Sequence, residues 1–162
     1  MRRGFAAVVA CGAVACGAVA GSPVVAGAQT VAPQPGTTCA ANLAGALTQL
    51  PDLTTLLRCD DRRVWRVVDD PYPHSDRWFT YGPTLTLHGE GQRNREIDSG
   101  PWTGYPQDDG SRCRASSAAI ADAGGLTPPQ DRVGEPGQPL RLDLPPLLFT
   151  IELSGYCLWQ QG

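Results

Sequence analysis

The spacing of apolar residues changes twice along the chain. Residues 5–20 form an almost unbroken run of small apolar side chains behind Arg2 and Arg3, ended by Gly21, Ser22 and Pro23. Between residues 39 and 59 the leucines fall at Leu43, Leu47 and Leu50, then at Leu53, Leu56 and Leu57. Steps of three and four put each group on one face of a helix. Pro51 cannot continue the first helix and Asp52 can cap the second, so the pattern predicts a short helical hairpin over 39–59. The stretch before it, 29–38, holds Pro33, Pro35 and Gly36 without periodicity and reads as a flexible lead.

After Cys59 the period shortens to two. Residues 64–68 are rich in β-branched and aromatic side chains and end in the turn set Asp69, Asp70 and Pro71. Residues 78–81 and 84–88 follow. In the second run Leu85 and Leu87 should face inward, with Thr84, Thr86 and His88 outward. Gly89, Glu90 and Gly91 make a turn, 93–97 a weak strand, and 102–105 a strand or extended loop. The alanines at 118, 119 and 121 favour helix, but the place of 111–123 among strands favours β, and we assign it as strand. Residues 134–139 form a turn, 140–144 alternate strictly, Pro145 and Pro146 break the chain, and 147–153 resemble a buried strand. Ser154 and Gly155 then turn into a strand at 156–159. This rhythm predicts a mainly β domain, an antiparallel sandwich or barrel-like fold preceded by the short N-terminal helical hairpin.

Composition alters this picture first at the N-terminus. A positive start, an apolar run and the small triplet Ala26-Gly27-Ala28 make residues 1–28 a signal peptide cut before Gln29. The run, short and rich in alanine and glycine instead of leucine, is marginal as a permanent span. Lipidation at Cys16 is the rival, weakened by the missing leucine in Ala13-Val14-Ala15 and by a cleavage site left without purpose. Taking 28 residues from 162 leaves 134, with eleven arginines against sixteen acidic side chains, hence a net charge of −5. Residues 39–162 then suffice for one domain with its own core. All 13 basic residues are arginine, which removes lysine Schiff-base and Walker-type phosphate chemistry. An acidic chain is also no phosphate-neutralising partner of nucleic acid.

Export changes the meaning of the cysteines. Cys39, Cys59, Cys113 and Cys157 form an even set that an oxidising compartment would pair. Three pairings are possible, and the spacing favours Cys39 with Cys59 and Cys113 with Cys157, each joining elements read as neighbours. No CxxC or Cys/His spacing supports zinc.

The Ala/Val-rich leader, the lysine-free chain, the four mature cysteines and the ending Ser154-Gly155-Tyr156-Cys157-Leu158-Trp159 together resemble small exported proteins common in high-GC Gram-positive bacteria. The resemblance implies a secreted or extracytoplasmic cell-envelope location. It carries over no catalytic residue.

Candidate chemistry is sparse. Residues 69–77 hold three carboxylates and a histidine, and Asp69, Asp70 and Asp76 are weak candidates for a metal, although no calcium-loop spacing is present and a solvated turn uses the same residues. His74 and His88 are the only histidines, and no serine lies in Gly-x-Ser-x-Gly, so a catalytic triad has no motif. Exposed aromatic rings offer another chemistry, stacking on sugar faces or on a partner. Trp102 and Tyr105, set among glycines and prolines, are the expected exposed pair, with Tyr72 and His74 as further ligand-binding candidates. The sequence thus points to an exported binding or structural protein acting on an envelope or extracellular ligand or protein, with no cofactor, no nucleic acid and no membrane span after cleavage. A secreted hydrolase and an apolar-ligand carrier are the alternatives.

Overall fold

A computed structural model describes residues 31–162; the expected signal peptide and Cys16 lie outside the described residues. Nine strands occur there: β1 (Leu47–Gln49), β2 (Leu56–Cys59), β3 (Trp65–Val68), β4 (Arg77–His88), β5 (Gly100–Pro106), β6 (Arg114–Ala119), β7 (Gln130–Val133), β8 (Leu140–Leu144) and β9 (Leu148–Gln161). They form one mixed sheet in the order β3-β2-β1-β4-β9-β5-β8, with β6 joined to β9 and β7 to β6. The sheet is not closed into a barrel, and β1 runs parallel to β4, so the expected purely antiparallel sandwich or barrel is replaced by one open, bent sheet.

Two long strands make the bend. β4 and β9 pair antiparallel from Arg77↔Gln160 to His88↔Thr150, with a register shift between Gly82 and Leu85. Gly82 faces Gly155 in that ladder, and both have positive φ, 133° and 95°. The turn expected at Ser154-Gly155 is therefore a kink inside a continuous strand, and residues 78–81 and 84–88 are likewise one strand. The second edge of β9 is divided: Leu148 to Ser154 pair with β6, and Cys157 to Gln161 with β5. Cys113, just ahead of β6, is bonded to Cys157 where β9 changes neighbours.

The inner face of the bend closes over Trp78, Trp102 and Trp159, each with almost no exposed surface, and over leucines of β4, β8 and β9. Trp159 Nε1 donates to Thr80 Oγ1 (3.1 Å), which reaches the Cys157 carbonyl at 3.3 Å, whereas the buried Trp78 Nε1 has no hydrogen-bond partner among the described residues. A second apolar cluster occupies the outer face, where Leu43, Leu57, Trp65, Phe79 and Leu158 pack beneath residues 32–46. This two-sided burial explains why residues 78–81 do not alternate: Trp78 and Thr80 face one layer, Phe79 and Tyr81 the other.

The helical hairpin over 39–59 is not formed. Residues Ala41–Leu43 make one 3-10 turn, Gly45 adopts φ +80°, and β1 and β2 form a β-hairpin instead. Its leucines serve two layers, Leu47 and Leu56 inward, Leu43 and Leu57 outward, which mimics a helical stripe when read along one dimension. Asp52 does cap, but a turn: Oδ1 accepts the N–H groups of Thr54 and Thr55, and Thr55 returns its carbonyl to Leu50. The Thr55 hydroxyl, which donates to Asp52 Oδ2 at 2.6 Å, and these two N–H groups hold the Asp52 carboxyl below its usual pKa. Cys39–Cys59 ties this hairpin to the lead, where Gly36 donates to Trp65 O (2.8 Å) and Trp65 to Thr37 O (2.9 Å). Residues 36–38 thus lie hydrogen-bonded along β3.

The strand expected at 93–97 is a loop, since Asn94 turns to φ +30° and both Glu96 and Ile97 fold back on the His88 carbonyl. The assignment of 111–123 as strand agrees with β6.

The kink sets a demand that only glycine meets at 155. A Cβ there would run into the carbonyl oxygen of Arg112, and φ +95° is costly for any L side chain. Gly155→Ala is expected to lower the unfolding free energy by about 3 kcal/mol. Gly36→Ala, at φ +83° with nothing within 4 Å, should cost about 1 kcal/mol. Urea denaturation of both variants checks the contrast, and equal losses would show that the Gly155 contact is relaxed at no cost.

Candidate functional site

Both histidines of the chain lie on one side of the bent sheet, each against a carboxylate from the same loop. His88 closes β4, and residues 89–99 lead from it to β5. His88 Nδ1 lies 3.2 Å from Glu96 Oε2, and the same oxygen accepts the His88 N–H at 2.9 Å. His74, on the loop between β3 and β4, places Nε2 3.0 Å from Asp98 Oδ2. Arg95 Nε reaches the other oxygen of Asp98 at 3.1 Å, and Ser99 Oγ donates to Glu90 at 3.1 Å. The two loops also meet through the main chain, where Ser75 N–H donates to Glu96 O at 3.0 Å.

The order of these groups follows from the chain. Two prolines, Pro71 and Pro73, keep 69–76 out of the ladder, and Asp70 Oδ1 accepts the Tyr72 N–H to close a tight turn. That turn presents the Tyr72 ring to solvent, 44% exposed, with its centroid 5.9 Å from the His88 ring. From His74 an open groove of about 610 Å³ runs past Arg58, Asp60, Asp61 and Asp76. A second, of about 420 Å³, runs along Arg58, Arg66, Val68 and Asp70 on its other side. Acidic acceptors and guanidinium donors therefore border both grooves, while the Tyr72 ring lines neither and stands on the adjoining turn against His88. Asp60, which accepts the N–H groups of Val64 and Arg62 and contacts Arg66 at 3.2 Å, is held below its usual pKa mainly by the Val64 bond.

Of the residues singled out in the sequence, His74 lines both grooves and Tyr72 lies on the adjoining turn. Trp102 does neither: it is 1% exposed in the inner core, and its Nε1 donates to the Asp98 carbonyl at 2.9 Å. Gly104 beside it serves the close approach of β5 to Trp159, whose ring a Cβ at that position would strike. Tyr105 is 42% exposed on the outer face of β5 and, among the described residues, makes no ring contact with Tyr72. Asp69, Asp70 and Asp76 are not drawn together, and among the described residues no three His, Cys, Asp or Glu side chains are grouped to hold a metal ion. Neither histidine meets a serine hydroxyl: Ser75 Oγ donates to Arg77 O and Ser99 Oγ to Glu90. A separate apolar groove of about 370 Å³ lies between residues 31–40 and Leu43, Trp65, Phe79 and Tyr156, outside the filled inner core.

Sequence reasoning missed Glu90, Arg95, Glu96 and Asp98. Their signal was five charged side chains between 90 and 98, the first of them within Gly89-Glu90-Gly91, a density suited to a loop and unsuited to a strand.

No family model, curated protein or solved structure matches the chain. Among the described residues no helix is long and apolar enough to cross a membrane.

Glu96 is 6% exposed, and burial raises its carboxyl pKa above the ordinary 4.5 against the opposing pull of the His88 N–H. A carboxyl raised on folding contributes stability below its unfolded pKa and loses that contribution as pH rises through the folded value. Relative to Glu96→Gln, the wild type should therefore be more favoured near pH 4 than near pH 7. Urea midpoints of both proteins at the two pH values measure this, and a difference of the opposite sign would mean that the pairing with His88 outweighs burial.

Proposed function

We propose that the protein is an exported, extracytoplasmic binding module whose ligand face is the surface formed by residues 70–74 and 88–99. The observation that carries this reading is the Tyr72 ring, held exposed beside His88 on the turn whose Asp70 and His74 line the adjoining groove. A flat ring beside grooves bordered by carboxylates and guanidinium groups suits a pyranose: the apolar sugar face stacks on the aromatic, and the hydroxyls bond to the charged rim. The envelope location rests on the signal segment and the resemblance to small exported proteins, and the two disulfides and the absence of a membrane-spanning helix among the described residues agree with it. The charged loops sit at one end of a doubly stapled sheet, the usual arrangement for a binding site on a rigid scaffold.

The binding reading is tested by NMR titration with tetrasaccharides of N-acetylglucosamine, glucose in β-1,4 linkage and glucose in α-1,4 linkage. At least one should shift amides at 70–74 and 88–99, and Tyr72→Ala should weaken it about tenfold, the contribution of one stacked ring. No shift with any of the three, or shifts confined to the groove beside Trp65, would overturn it. Location is checked by intact mass of the protein recovered from culture medium: a chain starting at Gln29 and four hydrogens light, two per disulfide, is expected. An acylated start at Cys16 would place the protein on the membrane instead.

A further inference from the structure

The sheet ends in three strands with an open side, β3, β7 and β8. In an antiparallel ladder successive residues direct their main-chain groups to alternate neighbours. Gly162 donates to Pro101 O (3.0 Å) and Gln107 to Tyr156 O (2.9 Å), so the odd-numbered residues of β5 face β9 and the even-numbered ones face β8. On β8, Leu140, Leu142 and Leu144 are opposite those even residues and bond to them. The N–H and C=O groups of Arg141 and Asp143 therefore point to the open side. Their side chains are exposed on the outer face, while the three leucines face the inner core, and neither Arg141 nor Asp143 has an ion pair or side-chain hydrogen bond within the described residues.

We propose that β8 is a dimerisation edge, pairing antiparallel with β8 of a second copy about a two-fold axis at Leu142. That register sets Arg141 of each copy opposite Asp143 of the other. Both symmetric pairs are hydrogen-bonded ones, because the groups that exchange main-chain bonds are those already turned outward. Each also joins opposite charges across the strands, the favourable arrangement. A charge on an edge strand usually keeps a second copy away, since a lone charge meets itself or an apolar strand. Opposite charges two residues apart do the reverse: they are complementary to their own antiparallel image, as an isologous interface requires.

The other two edges lack this property. On β7, Gly134 donates to Cys113 O at 2.9 Å, so Asp131 and Val133 point outward. Two-fold pairing at Arg132 would set Asp131 opposite Val133 and place the two Arg132 side chains against each other. On β3, Trp65 is already bonded to Gly36 and Thr37, which leaves Val67 as the strand's outward residue. Register on β8 is further limited by Pro139 and Pro145, which bound the strand and offer no N–H to a slipped partner.

Sedimentation velocity of the oxidised protein over a concentration series tests the proposal. The wild type should pass from monomer to dimer as concentration rises. Asp143→Arg leaves two arginines on the edge and Arg141→Asp two aspartates. Each variant alone should dimerise about 30-fold more weakly, as two attractive pairs become repulsive. Mixed one to one, the two variants should associate again as a heterodimer, and the doubly exchanged chain, Arg141→Asp with Asp143→Arg, should recover homodimerisation. Near-UV circular dichroism identifies any variant that has not folded. A wild type that stays monomeric up to about 1 mM, or a dimer indifferent to both single exchanges, would overturn the proposal.

Discussion

A strand has two edges, and β9 must serve three neighbours. It spends one edge on β4 along its whole length and divides the other between β6 and β5. The two neighbours use successive stretches of that edge, Leu148 to Ser154 for β6 and Cys157 to Gln161 for β5, and the kink lies between them. Gly155 supplies the change in direction through a φ closed to other residues, and Gly82 opposite it lets β4 follow. Cys113–Cys157 then fixes the junction covalently, closing a loop worth roughly 4 kcal/mol in chain entropy. The inner core exists because of this bend: Trp78 and Trp159 on one limb and Leu85, Leu87 and Ile151 on the other come to share one interior.

Most strands were legible in the sequence because their burial is one-sided. In β8, and in the second halves of β4 and first half of β9, leucine and isoleucine alternate with exposed or half-exposed residues, and period two reports the face directly. The reading failed where burial is two-sided. Residues 43–57 supply leucines to both the inner and outer clusters, and projecting two faces onto one line produced intervals of three and four. No periodicity argument separates that case from a helix. The glycine at 45 and the Pro51-Asp52 pair were the better guides, since the first ends the 3-10 turn ahead of β1 with φ +80° and the second forms the turn between β1 and β2. Gly155 misled in the opposite sense. A serine-glycine pair between apolar runs is ordinary turn chemistry, and only pairing to β4 on both sides of the kink makes it part of a strand.

The candidate site was half legible. Tyr72 and His74 stood out because aromatic, imidazole and carboxylate groups crowd around two prolines. Their partners did not, since Glu96 and Asp98 are separated from His74 by the whole of β4 and come near it only because the 89–99 loop folds back along that strand. Proximity of this kind is a property of topology and leaves no trace in local spacing. Trp102 was misplaced for a related reason. Glycines and prolines mark exposed loops on average, but in β5 Gly104 is required by the Trp159 ring that lies against it, and Pro101 turns its ring side toward the chain's end at Gly162.

The burial of Trp102 has a consequence for how the surface is held. Its indole N–H fixes the Asp98 carbonyl, and Gln161 Nε2 donates to the Ser99 carbonyl at 3.4 Å, so the end of the 89–99 loop is anchored in the same core that the bend creates. Asp98 in turn holds His74, and Glu96 holds His88 and Ser75. The charged loops are thus an extension of the tryptophan core. A substitution at Trp102 would disturb the position of His74 without touching a ligand, and loss of binding in such a variant would say nothing about contact. Tyr72 separates the two effects. Its ring leans on His88 and is otherwise turned to solvent, so removing it takes away contact surface while leaving the anchoring bonds of the loops in place.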